Sequence, residues 1–132
     1  MKEPISLSEL RIIVVDDSDF SRSMILQMLT EAGCQLVSET NSAENAMRMI
    51  REKKPHIVIA DIVMPEISGI ELSSKINDVF DNIHVIMISS LSQEHIVLEA
   101  ISSGASDFIS KPVQKNQLIE SIQKIAQNIS KE

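Results

Sequence analysis

The chain has no tryptophan, no tyrosine and only three phenylalanines among 132 residues. A bound flavin needs aromatic faces to stack on, so a flavin carrier is disfavoured. The one cysteine, Cys34, can neither close an internal disulfide nor build a cysteine metal site, and it reads as a small buried apolar residue without redox chemistry. No apolar run approaches the roughly 20 residues of a membrane-spanning helix, and Met1 to Glu9 lacks the apolar core of a signal peptide, so a cytoplasmic protein is expected. Cations are in deficit: 12 Lys and Arg stand against 19 Asp and Glu, a formal net charge of -7. That mean field repels nucleic-acid phosphates and anionic lipid heads, which argues against direct nucleic-acid binding and membrane insertion. Internal repeats, low-complexity tracts, charge runs and a GxxxxGK[ST] phosphate loop are all missing.

What is present is an ordinary globular composition, 43% hydrophobic and 23% charged, at a mass of 14.7 kDa that suits one hydrophobic core. Five short β-branched apolar runs punctuate the chain: Arg11 to Val15, Gln35 to Glu39, His56 to Ala60, His84 to Ser89 and Asp107 to Ser110. The first, third and fourth are nearly continuous in Ile and Val, as strands covered on both faces require. Helical stripes lie between them, clearest at Ala43, Ala46, Met47, Ile50 and at Leu118, Ile122, Ile125, Ile129. Ser42 stands at an N-cap position with Glu44 in the first turn, while Gly33 and Gly104 follow the first and fourth helical stretches where a left-handed residue closes a helix. Strict alternation of strand and helix predicts an α/β fold, a (βα)5 doubly wound parallel five-stranded sheet of flavodoxin-like order 2-1-3-4-5. Ligands of such sheets bind beyond the carboxyl ends of the strands where the order reverses, here between the first and third strands.

That position concentrates acid. Asp16 and Asp17 close the first run and Asp61 follows the third, so three carboxylates meet at one rim. Any one of them alone reads equally as a turn or cap residue. Three together repel one another unless a hard divalent cation takes oxygen ligands from them, and Mg²⁺ suits because it needs only one or two carboxylates and keeps positions for phosphate oxygens.

The segment Val14 to Ser18 with its paired aspartates, Asp61 followed by Met64, Pro65 and Gly69, Ser89 ending the fourth run, and Lys111 with Pro112 after the fifth resemble the receiver domain of two-component response regulators. Order and approximate spacing match over about Arg11 to Ile129. The resemblance is to single-domain, chemotaxis-type response regulators, with an N-terminal leader at 1–9, a receiver domain at 10–130 and no output domain expected after Glu132. It implies that Asp61 is the phosphoacceptor, attacking the phosphorus of a phosphohistidine on a histidine kinase or histidine phosphotransfer protein. It also implies that Asp17, Asp61 and the backbone carbonyl of Val63 ligate Mg²⁺ directly, that Asp16 acts through a water, and that Lys111 neutralises charge on the phosphoryl oxygens. Lys111 and Pro112 are expected to share a cis peptide bond. Such a protein is a signalling module that catalyses only its own phosphorylation and dephosphorylation.

The same resemblance makes Ser89 the hydroxyl that moves to the phosphoryl group and Phe108 the aromatic that fills the space it leaves. Without it, Ser89 reads as a strand-end hydroxyl bonded to local backbone and Phe108 as a core residue. Gly69 allows close approach at the start of the third helix and Pro65 sets the entry angle. Phe108 stands where many relatives carry Tyr, so its output contact must be apolar. Val63 and Leu91 stand where relatives often carry polar groups, which implies slow autodephosphorylation. Output is expected through the face of the fourth helix, fifth strand and fifth helix, where Ile96, Val97, Ala100 and Ile101 form a stripe, in a monomer or a phosphorylation-dependent dimer. Met87 to Ser92 resembles the receiver half of chemotaxis methylesterases, which implies a chemotaxis role. His56, His84 and His95 have no ligand cluster around them and receive no chemistry. Two rivals are weaker. A haloacid-dehalogenase phosphatase would carry Asp-x-Asp rather than adjacent aspartates, and a degenerate, unphosphorylated scaffold would have lost part of the site.

Overall fold

Strands form where the Ile- and Val-rich runs predict them. The structure is a computed structural model describing residues 4–91 and 93–129, in which β1 (Arg11–Val15), β2 (Leu36–Thr40), β3 (Ile57–Asp61), β4 (His84–Ser89) and β5 (Asp107–Ser110) pair in parallel, in the order β2-β1-β3-β4-β5. Ser92 and residue 130, which fall in two of the expected segments, and residues 1–3 of the expected leader lie outside the described residues. The helices are α1 (Asp19–Glu31), α2 (Ala43–Lys53), α3 (Gly69–Val79), α4 (Glu94–Ser102) and α5 (Lys115–Ala126).

The two-residue period of the strands divides the core into two layers. Ile12, Val14, Ile57, Ile59, Ile86, Ile88 and Ile109 face Ile25 and Leu29 of α1 and Leu118 and Ile122 of α5. Ile13, Val15, Val58, Ala60, Val85 and Met87 face Ala46 and Ile50 of α2, Leu72 and Ile76 of α3 and Ala100 of α4. Every residue of β3 is buried, in keeping with the unbroken apolar run from Ile57 to Ala60 that precedes Asp61. Each such side chain contributes about 1.5–3 kcal/mol relative to exposure. Upstream of β1, Ile5 joins the first layer and its N–H donates to the Ile129 carbonyl at 3.3 Å, so this part of the leader packs on the domain.

Local signals fall where expected in most places. Ser42 caps α2 by accepting the Asn45 N–H at 3.2 Å, and Gly33 and Gly104 take φ of 98° and 101° after α1 and α4. Ser18 and Ser68 cap α1 and α3 in the same way. One detail of the strands differs from the sequence reading. Strands β2 and β3 each begin and end one residue later than the apolar runs, because the ladder with β4 extends through Asp61 opposite Ile88, and Thr40 pairs with Val15. Pro65 lies in the loop ahead of Glu66, which has φ 71°, and α3 starts after Ser68. The α4 stripe is less buried than a core helix requires: Ala100 is buried and Ile96 partly so, while Ile101 is 47% and Leu98 59% exposed.

Candidate functional site

Parallel strands end at a common rim, so β1 and β3 deliver their terminal acids to the same place. Beyond β1 the chain leaves to one side for β2 and β3 lies on the other, which opens a crevice at the strand-order reversal. Carboxylate oxygens of Asp16, Asp17 and Asp61 all lie within 4.8 Å of one another there. Asp16 and Asp61 are buried, and Asp17 is exposed. Asp61 is the last residue of β3, and one of its oxygens, Oδ1, accepts the Val63 N–H at 3.3 Å. Asp16 Oδ1 accepts the Ser18 N–H at 2.9 Å, fixing the start of the β1–α1 loop.

Lys111 supplies the opposing charge. It follows β5, is joined to Pro112 by a cis peptide bond as expected, and its N–H donates to the Ser89 carbonyl at 2.9 Å. Its Nζ lies 3.0 Å from Asp61 Oδ2, 3.3 Å from Asp16 Oδ2 and 3.2 Å from Ser21 Oγ. Burial, the largest influence on Asp61, raises its pKa; Lys111 and the Val63 N–H pull the other way, and Asp16 adds to the rise. For Lys111, burial lowers the pKa, but the carboxylates of Asp61 and Asp16 outweigh it and the net direction is up. The two directions look contradictory for one ion pair. They follow from asymmetry: the carboxylate is the more buried partner and has a second acid beside it, whereas the ammonium has two anions and more solvent.

Ser89 is fully buried and its Oγ accepts the Leu91 N–H at 2.9 Å, the local backbone bond open to a strand-end hydroxyl. Phe108 pairs with Met87 across the β4–β5 ladder and packs, partly buried, on the α2–α3–α4 layer. The Val63 side chain is 55% and the Leu91 side chain 37% exposed, and Pro112 is exposed beside Lys111. Gly69 is buried at the first position of α3; a methyl placed there would overlap the Asp61 carbonyl oxygen, so the helix start presses on the acceptor residue itself. His56 and His84 stand at the opposite, amino-terminal end of the sheet from the acids, and His95 is exposed in the first turn of α4.

Two residues of the site escaped sequence reasoning. Ser21 touches the Lys111 ammonium, and Arg22 donates from Nη1 to the Asp16 carbonyl at 2.7 Å, from Nε to Glu39 at 2.8 Å and from Nη2 to Asp19 at 2.6 Å. Neither has a sequence signal beyond falling in the first turns of a capped helix, since Lys111 and Glu39 are distant in sequence and the Asp16 contact is to a backbone carbonyl.

The donor set fits a hard divalent cation. Three all-oxygen ligand groups converge within 4.8 Å and, among the described residues, the Lys111 ammonium alone is ion-paired with them, leaving a local excess of negative charge. Among the described residues no helix is long and apolar enough to cross a membrane.

Comparison with known proteins gives a consistent picture. The model for the response regulator receiver domain matches residues 12–123. The chain is 37% identical to the chemotaxis protein CheY of Thermotoga maritima over 116 residues, 88% of this chain and 97% of that one. It is 38% identical to the CheY of Bacillus subtilis over 114 residues, 86% of this chain and 95% of that one. Among solved structures, a CheX–CheY–BeF3–Mg²⁺ complex from Borrelia burgdorferi superposes with a TM-score of 0.83 at 30% identity, covering 88% of each chain. With one family matched from β1 into α5, and the acids and the lysine placed together at the switch point of the sheet, the chain belongs to the response-regulator receiver family, as a two-component response regulator homologous to CheY.

Proposed function

We propose that Asp61 accepts a phosphoryl group from the phosphohistidine of a histidine kinase or histidine phosphotransfer protein, and that this modification switches binding to a downstream protein. The observation that carries the reading is the Lys111 ammonium set between buried Asp61 and Asp16, 3.0 and 3.3 Å from their oxygens. A carboxylate oxygen of Asp61 attacks phosphorus, an acyl phosphate bond forms, and the bond from phosphorus to the donor's imidazole nitrogen breaks, its electron pair leaving with the imidazole. Lys111 offers positive charge to the equatorial oxygens as they draw electron density. Asp17, Asp61 and the Val63 carbonyl would hold Mg²⁺, with Asp16 acting through a water. Bound there, the cation supplies charge neutralisation for phosphoryl transfer. The Val63 N–H orients the Asp61 carboxylate. The role is that of a self-modifying signalling module rather than an enzyme acting on other molecules.

The added phosphoryl brings nearly two negative charges and three acceptor oxygens. The Ser89 hydroxyl then trades its bond to the Leu91 N–H for one to a phosphoryl oxygen, and Phe108 shifts toward the space it leaves. Pro65, Gly69 and Pro112 shape the loops that carry these groups. The output surface is the α4–β5–α5 face, where exposed Leu98 and Ile101 and partly exposed Phe108 offer apolar contact to a downstream protein or, in a phosphorylation-dependent dimer, a second copy. The receiver unit runs over residues 10–130 and works in the cytoplasm. Control of chemotaxis is supported by the relatives that carry that name.

The test is intact mass after acid quenching, following incubation with acetyl phosphate with and without Mg²⁺, on the wild type and on Asp61→Asn. One Mg²⁺-dependent phosphoryl adduct that disappears in Asp61→Asn is expected. No adduct at early times would overturn the reading in favour of an unphosphorylated scaffold.

A further inference from the structure

The Lys111 ammonium has three N–H donors and meets three acceptors: Asp61 Oδ2 at 3.0 Å, Asp16 Oδ2 at 3.3 Å and Ser21 Oγ at 3.2 Å. Two of these belong to the acids proposed to serve the metal and the phosphoryl group. Once their oxygens turn to a cation, they are weaker partners for a lysine. The third is neutral, takes no part in the chemistry and is carried by a capped helix turn. Ser21 sits in the first turn of α1, where its N–H donates to the N-cap oxygen of Ser18 at 3.2 Å.

Two features make that third contact consequential. A helix amino terminus carries partial positive charge, so the start of α1 repels an ammonium unless an acceptor on that turn offsets the repulsion. Beside the site lies a cavity of about 370 Å³ whose lining includes Phe20, Ser21, Met24, Ser90, Lys111 and Pro112. A lysine stem has four rotatable carbons and substantial rotamer entropy, and this cavity gives it room to leave the acids.

We propose that Ser21 is a positioning residue, whose hydroxyl holds the Lys111 ammonium within reach of Asp61 and keeps it out of the adjacent cavity. The inference rests on the phosphoryl-acceptor reading for its functional consequence, but the tether itself does not depend on it.

The experiment therefore has two arms. In the first, the order of the Lys111 side-chain Cε methylene is measured by NMR relaxation in Mg²⁺-free protein. Ser21→Ala lowers it and Ser21→Thr, which keeps an Oγ, restores it; unchanged order in Ser21→Ala overturns the proposal. In the second, phosphoryl uptake from acetyl phosphate is followed by intact mass. Ser21→Ala slows the maximal rate about 3- to 10-fold, the effect of losing one hydrogen bond to a charged group, while the half-saturating donor concentration and the calorimetric Mg²⁺ affinity stay within about twofold. Ser21→Thr recovers the rate. In a Lys111→Ala background, Ser21→Ala adds nothing further; an equal slowing there places the effect in α1 rather than on the lysine and overturns the proposal. Absence of uptake in the wild type would sink the phosphoryl-acceptor reading, and the NMR arm would still decide for or against the tether.

Discussion

Replacing Gly69 with alanine tests whether the start of α3 sets the position of the acceptor. An added methyl would overlap the Asp61 carbonyl oxygen and come within 2.5 Å of Met87 Cε and 2.9 Å of the Asp61 carbonyl carbon. Met87 ends in a flexible thioether and can turn away. The Asp61 carbonyl belongs to a backbone paired with β4, and the Gly69 N–H is itself bonded to the Ile62 carbonyl at 2.8 Å, so neither side yields cheaply. Overpacking of this kind costs up to about 3 kcal/mol where backbone rather than a flexible side chain obstructs the methyl, and better helix propensity returns up to about 1, for a net loss near 2 kcal/mol. A urea midpoint lower by about 1 M follows from the usual slope. Circular dichroism is the suitable probe, because the chain has no tryptophan or tyrosine. Gly33→Ala is the control: its φ of 98° makes alanine cost about 1–2 kcal/mol, yet nothing lies within 4 Å of the added methyl and the acids are remote. The two variants are thus matched in stability and differ in where the strain falls. Relief of the clash requires a shift on the order of 1 Å at Asp61, enough to slow in-line phosphoryl uptake about tenfold or more. Gly33→Ala should keep the wild-type rate. Uptake by Gly69→Ala within twofold of wild type would refute the idea that this helix start fixes the acceptor.

Burial lowers the pKa of both His56 and His84, with Arg11 and then His84 adding to the effect on His56, whose Nδ1 accepts the Arg11 N–H at 2.9 Å. Folding therefore favours the neutral rings: their contribution is fully present above the unfolded value of about 6.5 and is lost as pH falls below it, so the urea midpoint should drop between about pH 7.5 and 5.5, and a His56→Gln, His84→Gln variant should flatten that slope. Ser121→Ala removes the hydroxyl that donates to Asp107 Oδ2 at 2.6 Å from a nearly buried position between β5 and α5, and should cost about 1–3 kcal/mol in urea unfolding; an unchanged midpoint would mean the bond contributes nothing net. Val63 and Leu91, two residues after Asp61 and Ser89, are apolar and partly exposed, and neither side chain can hydrogen-bond a hydrolytic water. The phosphoryl adduct should be long-lived, Val63→Asn should shorten its lifetime several-fold, and rapid loss from the wild type in a mass time course would count against the reasoning.

Most of the scaffold can be read from one dimension. Unbroken Ile and Val runs demand strands covered on both faces, the three- and four-residue stripes of α2 and α5 demand a sheet to pack on, and their alternation admits few topologies. Given that order, Asp16, Asp17 and Asp61 must meet, because residues ending parallel neighbours share a rim. Lys111 with its cis bond to Pro112 followed from likeness to a family rather than from spacing. Tertiary structure decided what depends on distance and direction between elements far apart in sequence. The ladder with β4 carried β3 one residue further and made Asp61 a strand residue. The β3–α3 loop puts Glu66 at φ 71° and delays the start of the helix until after Ser68. The rotation of α4 left Leu98 and Ile101 at the surface although their spacing allows a core face. Above all, the holds on the site come from α1: Arg22 on the Asp16 carbonyl and Ser21 on the Lys111 ammonium, contacts of 2.7 and 3.2 Å. Burial pattern alone cannot announce such contacts, since a hydroxyl or guanidinium on a helix's first turn looks like solvent-facing polarity until packing brings its partner within hydrogen-bond range.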